Sequence, residues 1–309
     1  MRRKVSVIGA GNVGATLAQY VAMSGLADVV LYDIAEGMPQ GKALDMLEAT
    51  PLWDTGPKIT GTNSLTDTAD SDLVVITAGA ARKPGMSRDD LLNINAAVVR
   101  GVSTELSGLC PDSKVIVVTN PMDVMAQLCY EVTGFPPSRV MGMGGVLDSA
   151  RFRTFAAMEI GVSPRDVEAL VLGGHGDQMV PMPRFTTVRG VPITRLMPED
   201  RIDALIERTR KGGAEIVSLL KNGSAFYAPA AATFQMISAI LLDEKRMLPA
   251  AAFLDGQYGV EGYFAGVPVV LGTGGIERIV EIELNDREKA HFEASVRAVR
   301  DLVDGLKDK

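Results

Sequence analysis

The sequence predicts an α/β protein: a Rossmann-type doubly wound parallel sheet followed by a mixed α+β substrate domain. Three observations predict it. Short, nearly continuous apolar runs alternate with helix-length segments through the first half, the glycine pattern Gly9-Ala10-Gly11-Asn12-Val13-Gly14 stands at the first run-to-helix junction, and the texture changes after about Gly142. Runs that are apolar throughout fit strands buried on both faces of a parallel sheet, and each parallel connection needs about a dozen residues or more to return.

Residues 5–8, 29–32, 73–77 and 115–119 are the clearest strands, with shorter candidates at 58–60 and 139–141. Between them, helices are expected over 12–25, 37–49, 87–109 and 122–133. Six strands joined by crossover helices give the doubly wound domain. In the second half, helices are expected at 146–160, 199–219 and 225–243, strands at 169–172 and 267–272, and antiparallel pairing within 183–192. A closing helix carries Phe292, Val296, Val299, Val303 and Leu306 at spacings of three and four. At 309 residues the chain exceeds what one core usually holds, so it divides into an expected 1–143 and 144–309.

Composition removes several classes of function. There are 31 Lys plus Arg against 38 Asp plus Glu, a formal charge of -7, and no dense basic patch, which argues against nucleic acid. Apolar residues make up 47% and charged residues 22%, ordinary globular usage, and no run reaches the ~18 apolar residues of a membrane helix. The start, Met1-Arg2-Arg3-Lys4 before an apolar stretch, imitates a secretory signal, but Gly9, Gly11, Asn12, Gly14 and Gln19 interrupt it and it reads as a first strand. Two cysteines, Cys110 and Cys129, make no disulfide framework and fit a reducing cytoplasm. Any imidazole chemistry has only His175 and His291 to draw on.

The glycine pattern follows a strand and opens a helix. In that setting Gly9 permits the tight turn, Gly11 lets backbone approach a pyrophosphate, and Gly14 lets helix pack on strand, with Asn12 and Val13 between them at the helix N-terminus. Asp33 ends the second strand, 19 residues past Gly14. Its carboxylate suits ribose hydroxyls and repels a 2′-phosphate, and Ile34, Ala35 and Glu36 bring no basic residue to reverse that, so the expected cofactor is NAD.

His175 lies in Leu172-Gly173-Gly174-His175-Gly176-Asp177, a glycine-rich turn after a strand, where a side chain can face a cleft. His291 stands among Glu288, Lys289 and Glu293 on the closing helix and reads as a solvated face. A histidine cycling between proton donor and acceptor benefits from a carboxylate, for which Asp148 is the best candidate. Asp148 and Arg151 are three apart on a helix and project from one face, a spacing that serves an intrahelical salt bridge as well as it serves a shared ligand site.

The motifs Gly9-Ala-Gly-Asn-Val-Gly14, Asn120-Pro121, Leu147-Asp148-Ser-Ala-Arg151 and Gly174-His175-Gly176-Asp177, in that order over essentially the whole chain, resemble those of the lactate/malate dehydrogenase family. The resemblance implies that Asp148 partners a catalytic His175, that Arg151 clamps the substrate's C1 carboxylate, and that Asn120 lies near nicotinamide and substrate. Asn95 and Thr119 join Asn120 as candidate cofactor contacts. It also implies that the stretch from Ala78 to Arg88 closes over the substrate, with Arg88 polarising the C2 carbonyl and Arg82 at the position that discriminates substrates.

An arginine at 82, within Arg82-Lys83-Pro84-Gly85-Met86, resembles the malate members and implies a dicarboxylate. The physical reason is that oxaloacetate brings a second carboxylate for the guanidinium, whereas pyruvate leaves that charge desolvated and unpaired, a difference of about 3–5 kcal/mol. No metal is required. The expected activity is reversible oxidation of (S)-malate; a lactate or other 2-hydroxyacid dehydrogenase, or an NAD-binding module without turnover, are the alternatives. The resemblance further implies a homo-oligomer, a tetramer in preference to a dimer.

Overall fold

The computed structural model describes residues 2–80 and 88–307. Its first half runs β1 (Arg3–Ile8), α1 (Asn12–Ser24), β2 (Ala27–Tyr32), α2 (Met38–Ala49), β3 (Ile59–Thr62), β4 (Leu73–Ile76), α3 (Arg88–Leu109), β5 (Lys114–Val117), α4 (Met122–Thr133) and β6 (Val140–Gly142). These strands pair in parallel in the order β3-β2-β1-β4-β5-β6. Chain direction across the sheet reverses between β1 and β4, and an open α/β sheet forms its ligand crevice beyond the carboxyl ends of the strands at that reversal.

The period-two alternation of strands divides the core. Val5 and Val7 of β1 and Leu73 and Val75 of β4 face one layer with Leu17, Ala18 and Val21 of α1, while Ile8, Val74 and Ile76 face the other with side chains of α3 and α4. Both faces are covered, which is why these strands lack polar alternation.

The second half begins with α5 (Gly145–Ile160), followed by β7 (Val167–Glu168), β8 (Val171–Leu172), β9 (Val180–Pro181), β10 (Thr187–Val188) and β11 (Val191–Pro192). β7, β10 and β11 form a small antiparallel sheet and β8 pairs with β9. Then come α6 (Glu199–Leu220), α7 (Tyr227–Leu241), β12 (Arg246–Asp255), β13 (Glu261–Gly272), β14 (Gly275–Ile279) and α8 (Asp286–Lys307). Two of these strands, β12 and β14, depart from the sequence reading, and β13 begins earlier than the expected 267–272. β12 is alanine-rich and contains Pro249, features that argue against a strand; Pro249 is tolerated opposite Pro268 in an antiparallel ladder whose register skips at Asp255. β12 also pairs with β6 through Ala251 and Gly142, so β12, β13 and β14 extend the parallel sheet to nine strands. The α8 residues Val299 and Val303 pack into the layer of α3 and α4.

Candidate active site

The register of β1 with β4, Ile8 beside Ile76, brings the turn after β1 against residues 77–80. Gly9 adopts φ +108° and donates its N–H to Tyr32 O at 2.8 Å. A Cβ at Gly9 would stand 2.7 Å from Ala78 N, and one at Gly14 would stand 1.8 Å from Gly9 O, so the protein's own packing demands both glycines. Gly11 is different: a Cβ there would meet nothing within 4 Å. Its small size answers to no contact within the described protein, which fits a ligand's approach to the N-terminus of α1. That end has no side-chain cap and no acidic residue in its first turn, so its N–H groups suit an anion. Asn12 is exposed there and Val13 half-buried. Asp33 braces the turn, its carboxylate accepting from Ala10 N–H at 2.7 Å and from Ala35 N–H at 3.0 Å.

Further along the crevice, Thr119 donates its hydroxyl to Ala78 O at 2.7 Å. Asn95, on α3, is buried; its Oδ1 accepts from Ala80 N–H at 2.7 Å, and its Nδ2 donates to Ala80 O at 3.2 Å and to Asn120 O at 2.7 Å. Expected as a cofactor contact, Asn95 has its amide engaged on backbone and supports the exposed Asn120, which precedes Pro121 across a cis peptide bond.

The other wall of the site is the turn 173–176 and the start of α5. Asp148 lies in the first turn of α5, 2% exposed, where the helix dipole favours a carboxylate. Its Oδ2 stands 2.8 Å from His175 Nδ1, and its Oδ1 accepts from Arg151 Nη1 at 3.4 Å. The intrahelical pair that the Asp148–Arg151 spacing allows is thus formed, and the same carboxylate reaches His175. Ser149 accepts from Val171 N–H at 3.0 Å, tying α5 to the strand that leads into the turn. Gly144 lets the walls meet, since a Cβ there would fall 3.1 Å from His175 Cβ. The arginine keeps donor capacity: Arg151 Nε–H is buried without a partner among the described residues.

Burial works against a charged His175, but the charge and hydrogen bond of Asp148, with the charge of Asp123 in support, outweigh it and hold the imidazole pKa above its usual 6.5; Arg151 opposes them. His291 is exposed on α8. Arg82 lies outside the described residues, and of Arg88 the structure describes only its place at the start of α3.

Three participants escaped the sequence reading. Asp123, the second residue of α4, accepts from His175 N–H at 2.7 Å, and Ser295 of α8 accepts from Gly174 N–H at 2.8 Å. Gly212 sits in mid-helix on α6 because a Cβ there would press within 3.2 Å of Arg151 Cδ. Only the last had a local signal, the Gly212-Gly213 pair inside an expected helix, where each glycine costs about 1 kcal/mol relative to alanine.

The profile of the lactate/malate dehydrogenase NAD binding domain matches residues 3–142, and that of the family's alpha/beta C-terminal domain matches residues 145–308. The chain belongs to the lactate/malate dehydrogenase family. Within that family it is 58% identical to a malate dehydrogenase of Thermomicrobium roseum over 307 residues, 99% of each chain. The crystal structure of Cryptosporidium parvum malate dehydrogenase superposes with a TM-score of 0.98 at 45% identity, covering 100% of both chains. A lactate dehydrogenase of the same organism, complexed with lactic acid and NAD, follows at a TM-score of 0.97 and 42% identity, covering 100% of this chain and 99% of that one. Backbone shape therefore identifies the lactate/malate dehydrogenase family and leaves the choice of substrate to side chains.

Proposed function

We infer that the protein catalyses the reversible, NAD-dependent oxidation of (S)-malate to oxaloacetate, the malate step of the tricarboxylic acid cycle. The observation that carries this reading is the 2.8 Å contact between His175 Nδ1 and Asp148 Oδ2. With Nδ1–H directed at Asp148, Nε2 of the neutral ring is the free base that takes the C2 hydroxyl proton of malate, and Asp148 stabilises the imidazolium formed. In the reverse direction the imidazolium returns that proton to the C2 oxygen. Arg151, with its buried unpartnered Nε, receives the C1 carboxylate.

The similarity to a malate dehydrogenase over 99% of the chain supports assigning the second carboxylate to Arg82 and the C2 oxygen to Arg88. When bound, NAD supplies the two-electron acceptor. Gly9, Gly11, Asn12, Val13 and Gly14 would hold its pyrophosphate, Asp33 its ribose hydroxyls, and Thr119 and Asn120 its nicotinamide end; the open face of Gly11 supports that fit.

The roles divide at 143/144, with the cofactor on the first unit and the acid/base pair on the second. A homotetramer in the cytoplasm completes the reading, supported by the exposed Leu44, Leu47 and Leu52 along α2 and the turn after it, and by two buried free thiols. Following NADH loss with oxaloacetate and then with pyruvate tests the substrate. Oxaloacetate is expected to react faster by roughly 10²-fold or more, and equal rates would overturn the assignment.

A further inference from the structure

The turn carrying His175 is fastened at three successive amides, each to a different element. Gly173 N–H donates to Gly266 O of β13 at 2.8 Å, Gly174 N–H to Ser295 Oγ of α8 at 2.8 Å, and His175 N–H to Asp123 Oδ2 of α4 at 2.7 Å. Ser295 is neutral, and any hydroxyl or amide at 123 could accept a hydrogen bond, yet the position holds a carboxylate that is 3% exposed. Its second oxygen, Oδ1, is buried and meets no donor among the described residues. A carboxylate half satisfied and nearly sealed from water is an expensive anchor if anchoring is its whole purpose.

What a carboxylate adds is charge directly behind the imidazole. We propose that Asp123 is a positioning residue whose buried negative charge, acting through the His175 amide contact, sets the pH at which His175 exchanges its proton with substrate. This rests on the reading of His175 as the acid/base. The charged groups that act on His175 are Asp148 and Arg151 from α5 and Asp123 from α4; Asp177 is exposed two residues on, and α8 and β13 meet the turn through Ser295, Val299 and the Gly266 backbone. Burial pushes the Asp123 carboxyl up to about 6, against the His175 amide bond and charge that pull it down, and each group's charge acts on the ionisation of the other.

Asp123→Asn tests this, because an amide oxygen still accepts from His175 N–H while the charge is gone. Loss of the charge disfavours the imidazolium. The acid limb of malate oxidation and the alkaline limb of oxaloacetate reduction, each followed as kcat/KM, should both move to lower pH by about one unit with KM for NADH unchanged. Limbs that stay at the wild-type pH would sink the proposal while leaving malate turnover and its histidine intact; retained turnover in His175→Asn would instead remove the reading beneath it. Should Asp123→Asn fail to fold, the wild-type enzyme decides. With only two imidazoles to follow by NMR, the His175 ring signal should show a second inflection near pH 6, and a single inflection for His175 overturns the role of Asp123.

Discussion

His175 has one carboxylate on its ring and another on its backbone, and the two do different work. Asp148 fixes the tautomer and favours the charged ring, which holds the pKa of His175 above 6.5. With His175 as the proposed acid/base, reduction of oxaloacetate needs it to start protonated, so kcat/KM should stay level through pH 6.5 and fall about tenfold per unit only above the raised pKa; malate oxidation should rise over the same interval. Asp148→Asn is expected to lower kcat by roughly 10²–10⁴ and to move both limbs to lower pH, as steady-state rates across pH would show. Asp123 has a cost for the fold. Its carboxyl is raised from 3.8 to about 6, so between those values the folded state binds more protons than the unfolded one, and stability declines by on the order of 3 kcal/mol as pH rises across that window. His175, Asp148 and Arg151 were legible in the sequence because each stands in a compact motif. Asp123 was not, since its partner lies 52 residues away and nothing local shows which way a carboxylate at the start of an apolar helix will point.

Among elements, the strand-turn-helix at the start of the chain separates what the fold needs from what the cofactor needs. Gly14→Ala drives a methyl against Gly9 O and should destabilise the protein strongly or prevent soluble expression. Gly11→Ala meets no protein atom within 4 Å and should keep its melting temperature within a few degrees while weakening NADH binding at least tenfold by fluorescence titration. Equal melting temperatures for the two variants would contradict the packing described. The parallel strands could be read from their unbroken apolar character. β12 could not, because its alanines and Pro249 carry helix-like and strand-breaking preferences that a ten-residue ladder with β13 overrides.

At the scale of the molecule, one nine-stranded sheet spans the residues matched by both family domains: β12 pairs with β6 and continues outward through β13 and β14. Neither half can unfold without exposing an edge the other covers, so calorimetry of the subunit should give one transition, and two separated transitions would mean the halves are thermodynamically independent. The net charge of -7 belongs to the molecule as a whole and says nothing of a single arginine such as Arg151, set beside Asp148. The three-point fastening of the turn that carries His175 has a last consequence, in time. Surface turns ordinarily exchange their amide hydrogens quickly, but the amides of Gly173, Gly174 and His175 are each bonded to a different packed element and should exchange as slowly as the strands behind them. The imidazole should then stay fixed on the timescale of turnover, with any motion that admits and releases substrate expected in other parts of the chain.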